Sequence, residues 1–340
     1  ALQTLDITSS SIKYIQYGSQ EITNGTCDMG QLENLTSLSF QNCTDVVSIT
    51  NLNYTASSFA NMFNGCIVLA NIQGTLTCTG TSVSSMFFNC KVLEHLDNLT
   101  LNLSKVTSAS GAFRYCYKLK TPALKKLLDA CGSSLQNIDT IAWMFYEDGV
   151  LGSATDTTRT LSKDLFENTP NITSMSNSFC ATKYTTINGD CFDNLTKLNN
   201  IDACFGAMGE LTTVGIGLLR NKPTLTNCYA TFADCSKLAN YITQPTIFEG
   251  SNAITNISQM FKNDTALKAP NGIDGMLDNL TDLTNAEYMF YNCKALVCAV
   301  PNGFFANNSR LTKLDGFFGL CSGLTQICDR LFRKELQDTN

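Results

Sequence analysis

Reactive side chains are few in this 340-residue chain, and their spacing argues against catalysis. A nucleophilic or acid–base site needs a nucleophile, a base within hydrogen-bond reach, and a third group that orients the base. The chain has one histidine, His95, in the stretch LEHLDNL beside Glu94 and Asp97. No Gly-x-Ser-x-Gly or comparable context accompanies it. His95 is read as an exposed strand residue, and the acidic pair Glu147 and Asp148 as solvated side chains. Sixteen cysteines are the other reactive set. None forms a Cys-x-x-Cys pair, and one histidine cannot complete a usual zinc site. We assign no catalytic residue, no metal and no cofactor, and expect no enzyme.

The cysteines belong to a repeat. The word Phe-x-x-Cys-x-x-Leu recurs as MFNGCIVL (62–69), MFFNCKVL (86–93), AFRYCYKL (112–119), TFADCSKL (231–238), MFYNCKAL (289–296) and FFGLCSGL (317–324). Weaker copies are SFQNCTDV, MFYEDGVL, CFGAMGEL and MFKNDTAL, with a degraded SFCATKYT. The anchoring aromatics are Phe40, Phe63, Phe87, Phe113, Phe145, Phe179, Phe205, Phe232, Phe261, Phe290 and Phe318. Most of their separations lie in the leucine-rich-repeat range of roughly 20–29 residues. In the second half an aliphatic residue stands seven before each anchor: Ile172, Leu198, Leu225, Ile254, Leu283 and Leu311.

A coil of this kind cannot bury its apolar side alone. Stacking the next coil covers it, so each anchor lies over the previous one as a ladder. The expected fold is a repeat solenoid, a leucine-rich-repeat-like stack of about eleven coils. Its parts are short parallel β-strands and short helices or 3₁₀ turns. The spacing of three puts Phe, Cys and Leu on one side of a short helix or 3₁₀ turn. The stretches VLANI (68–72) and VLEHL (92–96) read as strands. Residues 1–340 read as one domain, with lengthened repeats over about 114–179. There PALKKLLDA, opened by Thr121 and Pro122, predicts an amphipathic helix. Residues 152–160 read as an exposed loop. The lone Trp143 is expected to pack against the lengthened repeat.

On this ladder Cys43, Cys66, Cys90, Cys116, Cys235, Cys293 and Cys321 read as small buried hydrophobes rather than cross-coil disulfides. The remaining nine, Cys27, Cys78, Cys131, Cys180, Cys191, Cys204, Cys228, Cys298 and Cys328, include candidates for bridges. The cysteine count points to an oxidising compartment. Sequons of the form Asn-x-Ser/Thr support it, at Asn24, Asn34, Asn42, Asn53, Asn98, Asn102, Asn171, Asn194, Asn256, Asn263, Asn279 and Asn307. Asn102, Asn194, Asn279 and Asn307 share one register, so their glycans would form a stripe.

Charged residues make up 15% of the chain and the net charge is −6. A nucleic-acid binder needs a basic stripe, so that class is excluded. No apolar run reaches the roughly 18 residues of a membrane span. The chain opens at Ala1 without Met, which fits a removed leader or an excerpt. No polar capping repeat is evident at either end, and end-to-end stacking of copies is one expected consequence.

The words AFRYCYKL and MFYNCKAL resemble the BspA-like (treponemal-type) leucine-rich repeats of bacterial and protist surface proteins, over roughly residues 30–330. The resemblance implies a surface solenoid used in adhesion or in an extracellular layer, without catalytic residues. Longer repeats and more cysteines set this chain apart from that pattern. The expected function is a secreted, N-glycosylated structural protein that assembles head-to-tail into a fibril or surface layer. The alternative is a monomeric adhesin that binds an extracellular protein or glycan on its concave sheet. Either places the chain outside the cell or on its surface.

Overall fold

Each coil is stacked on the next by main-chain hydrogen bonds from its anchor. In a computed structural model, the N–H of Phe40 donates to the carbonyl of Met62 (2.9 Å), Phe63 to Met86 (2.8 Å), Phe87 to Ala112 (2.8 Å) and Phe113 to Met144 (3.0 Å). The same bond recurs from Phe205 to Thr231, Phe232 to Met260 and Phe261 to Met289, each at 2.9 Å. The structure describes residues 4–6, 22–23, 26–29, 37–132, 140–146, 153, 155–156, 158–242 and 246–332. They form a β-solenoid of about ten turns. Contacts group the chain into two units, the first of residues 1–159, 165–172 and 178–182, the second of 160–164, 173–177 and 183–340.

In the first unit, β1 (Thr4–Asp6), β2 (Ile22–Thr23), β3 (Thr26–Asp28), β4 (Ser37–Ser39), β5 (Ser48–Ala56), β6 (Asn71–Cys78) and β7 (Leu99–Asn102) precede the one α-helix of the described residues, α1 (Thr121–Gly132). A five-stranded sheet runs β2-β3-β5-β6-β7, parallel except for β2 against β3, and β1 pairs with β4. The second unit has only two-residue strands: β8 (Thr160–Leu161), β9 (Thr186–Ile187), β10 (Thr213–Val214), β11 (Ala299–Val300) and β12 (Gln326–Ile327). Elsewhere its coils meet through single parallel bridges, such as Asn227 with Asn256 and Asn256 with Asn285.

The anchors are fully buried through Phe290, and Phe318 is half-buried. Their rings stack at 5.5 Å (Phe40–Phe63), 5.2 Å (Phe63–Phe87) and 5.3 Å (Phe87–Phe113) in the first unit. In the second they stack at 5.6 Å (Phe205–Phe232), 5.7 Å (Phe232–Phe261) and 5.5 Å (Phe261–Phe290). These are favourable separations for offset rings.

Two local expectations are corrected. VLEHL is not a strand, and β6 begins only at Asn71, so VLANI contributes its last two residues. The apolar period there is three rather than two, with Phe87, Cys90, Leu93, Leu96 and Leu99 all buried. The i+3 turn bonds simply continue, as in Leu93 N–H to the Cys90 carbonyl (3.2 Å). His95 is accordingly exposed but lies outside any strand. The anchor words take the second of the two expected forms, chains of 3₁₀-type i+3 turns rather than short α-helices. Cys66 N–H reaches the Phe63 carbonyl and Leu69 N–H that of Cys66, both at 3.1 Å.

The helix expected after Thr121 forms, with Leu124, Leu127 and Leu128 buried. Its first turn is capped from the loop expected at 152–160. Asp156 accepts from the Thr121 N–H (3.1 Å) and hydroxyl (2.6 Å). A carboxylate there satisfies orphan donors and complements the helix dipole.

All sixteen cysteines are thiols, none joined in a disulfide. The ladder thiols do hydrogen-bonding work that explains their recurrence. Each donates to the anchor carbonyl one coil back: Cys66 to Phe40 (2.9 Å), Cys90 to Phe63 (3.1 Å), Cys116 to Phe87 (3.0 Å) and Cys293 to Phe261 (3.0 Å). A buried carbonyl left without a donor is costly, and thiol is a small group that donates. The recurrence of the ladder cysteines is thus explained without a disulfide. Thiol titration should find sixteen reactive groups in denaturant without reductant, and in the native state fast reaction only at the half-buried Cys321 and Cys328. A denatured total that falls short in pairs would reveal disulfides.

Candidate functional site

Two positions in nearly every described coil adopt left-handed backbone, two before the anchor and two after it. After the anchor stand Asn42, Gly65, Asn89, Asn263 and Asn292, among others, with φ from 59° to 79°. Before it stand Asn61, Gly111 and Asn177. Asn and Gly are the residues that take this conformation at least cost. Trp143 breaks the rule with φ 61°, as do Tyr115, Tyr288 and Leu320 with φ 55° to 66°. A bulky side chain there is a genuine outlier, on the order of 1–3 kcal/mol unfavourable. Strain of that size is a pointer to function.

Around Trp143 the turns of the first unit assemble a cation and five rings. Arg114 follows the anchor Phe113 by one position. Its guanidinium carbon lies 4.7 Å from the Trp143 ring, 4.8 Å from Tyr115, 4.9 Å from Tyr146 and 5.9 Å from Phe88. Its Nη2 donates to the Tyr115 hydroxyl at 2.9 Å. Phe88 meets Tyr115 edge-on at 5.4 Å, Trp143 meets Tyr146 at 5.1 Å, and Tyr117 lies 6.5 Å from Tyr115. Tyr117 and Trp143 are 40% and 38% exposed, so the cluster is open to ligand. Among the described residues Arg114 makes no ion pair. The rings supply about 0.5–1 kcal/mol per exposed cation–π contact but no counter-charge. The site can therefore take an anionic group on the guanidinium and a flat apolar body on the rings. Trp143 thus packs on Arg114 and Tyr146, both within the lengthened repeats. Glu147 and Asp148 lie outside the described residues.

The solvent side of the five-stranded sheet offers no comparable set. In β5, β6 and β7 it carries Asn53, Thr55, Gln73, Thr100 and Asn102, all uncharged. Asn102 donates its amide to the Thr77 hydroxyl at 3.1 Å.

The sequon asparagines divide by what their amide nitrogen does. Asn42, Asn53, Asn98 and Asn102 are exposed, whereas Asn171, Asn194, Asn256, Asn263, Asn279 and Asn307 are half-buried. Asn24 and Asn34 lie outside the described residues. Asn256 donates to Asn227 Oδ1 (3.1 Å), Asn263 to Asp234 Oδ1 (2.7 Å), Asn194 to the Lys163 carbonyl (3.5 Å) and Asn307 to the Asp278 carbonyl (3.4 Å). Asn227 in turn donates to Asn200 (3.1 Å), and Asn200, Asn227, Asn256 and Asn285 each accept from the N–H two residues on. Much of the asparagine content thus builds amide ladders in the second unit.

Burial keeps the interior thiols in their protonated form. Burial pushes the thiols of Cys90 and Cys228 up, and that of Cys131 up to about 12, with Cys78 beside it adding to the rise. A thiolate is the nucleophilic form, and these sites disfavour it. No three His, Cys, Asp or Glu side chains cluster to hold a metal among the described residues. No described helix is long and apolar enough to cross a membrane.

Asp264 occupies the ladder position that is cysteine in the coils before and after it. It is fully buried, its Oδ1 accepts the Cys235 N–H at 2.8 Å, and its Oδ2 has no hydrogen-bond partner. Burial drives its carboxyl well above the usual carboxylate range, the Cys235 N–H opposes the rise, and the charge of Asp234 adds to it. The folded state thus holds this proton more tightly than the unfolded chain. Stability from it is full below the unfolded carboxylate range and is lost as pH rises through the folded pKa. Asp264→Cys should therefore melt above the parent at pH 7, by about 1–3 kcal/mol for removal of an unsatisfied buried group. The advantage should shrink toward pH 4. A constant difference across pH would refute the assignment.

A family model described as a Mycoplasma protein of unknown function, DUF285, matches residues 33–156 and 173–303, and Arg114, Trp143 and Tyr146 all lie inside the first span. No curated protein matches the chain. Among solved structures, a leucine-rich cell surface protein from Faecalibacterium prausnitzii is similar at 16% identity, over 95% of this chain and 86% of that one, with a TM-score of 0.30. A leucine-rich repeat protein from Bacteroides ovatus matches at 18% identity, over 82% and 69%, with a TM-score of 0.26. A chain of the TLR13–ssRNA13 complex matches at 15% identity over 90% of this chain, with a TM-score of 0.24, and this chain spans only 50% of its length.

Proposed function

This chain belongs to the DUF285 family, and on that premise we propose that it is a non-enzymatic recognition protein of the cell surface that binds an acidic saccharide. The observation that carries the reading is the Arg114 cluster. A guanidinium that makes no ion pair among the described residues lies against three rings, two aromatics of the cluster are exposed, and a left-handed backbone presents Trp143. A pyranose lays its C–H side on a ring, and its carboxylate reaches a cation beside that ring. A guanidinium suits a carboxylate because it donates two parallel hydrogen bonds. A protein hot spot also uses Trp, Tyr and Arg, but it sits at the centre of roughly 800 Å² of well-packed surface on each partner. Here the neighbouring turn positions are Ser85 and Asn89, groups that suit sugar hydroxyls.

The test is binding of the full chain to tetragalacturonate and to its fully methyl-esterified form. The acid should bind and the ester should not. Added salt should weaken the interaction, and Arg114→Gln should lower affinity by roughly tenfold or more. Equal binding of acid and ester, or indifference to Arg114→Gln, would remove the reading.

The extracellular location and the BspA-like assignment belong to this proposal and rest on the words AFRYCYKL and MFYNCKAL. So does the single array over residues 1–340, supported by identical anchor registers in both units. The proposal does not need occupied sequons, since several amide nitrogens are already spent within the fold. End-to-end assembly is the competing outcome, and light scattering across a concentration series separates it from a monomeric binder.

A further inference from the structure

The register of the Arg114 cluster recurs in the second unit. Lys262 follows its anchor Phe261 by one, as Arg114 follows Phe113. In the next coil Tyr288 precedes Phe290 by two and Tyr291 follows it by one, as Trp143 and Tyr146 flank Phe145. The Lys262 ammonium lies 6.0 Å from the Tyr288 ring. Tyr288 meets Tyr291 edge-on at 5.6 Å, against 5.1 Å for Trp143 and Tyr146. Tyr288 is 37% exposed and Trp143 38%.

The backbone makes the parallel hard to assign to chance. Trp143 and Tyr288 are the only aromatics among the left-handed residues two before an anchor in the described coils, with φ of 61° and 55°. Asn, Gly, Ser, Ala or Gln stands at the others. In both coils where a ring takes this conformation two before the anchor, a cation stands in the preceding coil and a tyrosine stands three residues on. Among the described residues neither cation forms an ion pair. Lys262 does donate to Gln259 Oε1 at 3.3 Å. At the next turn position Asn292 donates to Asn263 Oδ1 (3.0 Å), and Asn263 to Asp234 Oδ1 (2.7 Å). These amides are engaged with one another, so the second turn presents its cation and rings without the free asparagine that stands at Asn89.

We infer that Lys262, Tyr288 and Tyr291 form a second binding site for a carboxylate-bearing pyranose, so that one chain carries two sites for the same ligand class. The inference rests on the reading of Arg114 given above. The sugar ring lies on the open side of Tyr288 and its carboxylate meets the Lys262 ammonium. Lysine offers a point charge where arginine offers a planar fork, so this second site is the weaker one.

Calorimetric titration of the full chain with tetragalacturonate tests this. Two sites of unequal affinity are expected. Tyr288→Asn should remove the weaker and leave the stronger, and Trp143→Asn should do the reverse. Asparagine is the residue that Asn61 and Asn177 place in this register, so both variants should melt no lower than the parent. Lys262→Gln should weaken the second site roughly tenfold or more. A single site that Tyr288→Asn and Lys262→Gln leave unchanged would overturn the second site and leave the first standing. No heat with the parent chain would overturn both. Tighter binding of a tetraglutamate peptide at these residues would overturn the saccharide class in favour of an acidic peptide.

Discussion

Phe290→Ala is expected to destabilise the protein by roughly 3–5 kcal/mol, the range for truncating a buried phenylalanine. Phe290 is fully buried, stacked 5.5 Å from Phe261 and 5.8 Å from Phe318, and edge-on to Phe317 at 5.5 Å. Its neighbours are held by main-chain bonds between coils, so the walls cannot collapse into the space. Its own N–H and carbonyl also serve the ladder, bonding the Phe317 carbonyl (2.9 Å) and the Cys321 thiol (2.8 Å). Those bonds survive truncation, so the loss measures ring packing. Urea unfolding followed by circular dichroism reads the change. Tyr117→Ala, at an exposed ring, should shift stability by only about 0.5 kcal/mol. Repeat arrays need not unfold in one step, so a transition that splits is also informative. A loss below about 1 kcal/mol at Phe290 would contradict the anchor register.

Gly74→Ala is the second large effect, at about 2–3 kcal/mol or more for forcing a side chain into a conformation reserved for glycine. Gly74 has φ 140° and a Cβ there would stand 2.0 Å from the Leu52 carbonyl oxygen. The cause lies in β5. Pairing of β5 with β6 shifts between Ile49 and Leu52, where Asn51 is left-handed at φ 53°. This bulge inserts a residue into β5 and pushes its backbone against β6 opposite Gly74. Adding a methyl must part the two strands and also disturb Gly74 against Leu99 of β7. Gly209→Ala is the matched control, with nothing within 4 Å of the new carbon. It should be neutral or slightly stabilising, by about 0.4–1 kcal/mol. Equal melting of the two variants would mean that the bulge is wrongly placed.

The anchors were legible because a ring buried between two rings tolerates little else. Phe, Cys and Leu at intervals of three fill one side of a turn, so identity and spacing reinforce each other. The left-handed positions beside them escaped notice because they conserve a conformation, not a side chain. Asn, Gly, Ser, Ala, Gln and two aromatics all occupy the position before the anchor. The trace that could have revealed it is the run of Asn and Gly two after the anchor, at Asn42, Gly65, Asn89, Asn263 and Asn292. VLEHL misled because its leucines continue the period of three, whose short apolar runs look like strands. The counts of cysteine and asparagine hid local roles that only the stack reveals: ladder thiols donate to anchor carbonyls, and several asparagines form rungs of an amide ladder. The Arg114 cluster was invisible while Trp143 was read alone. Its partners lie 29 and 3 residues away in sequence and meet only once the coils are stacked in register.

Trp143 is the only tryptophan of the chain, which makes its fluorescence a direct report on the proposed site. Titrating tetragalacturonate into the full chain should change the Trp143 emission saturably. The methyl-esterified form should leave it unchanged, and Arg114→Gln should abolish the response without altering the emission of the free protein beyond a small shift. An emission spectrum indifferent to the acid, at concentrations where binding is detected by other means, would place the ligand elsewhere and contradict recognition through the Arg114 cluster.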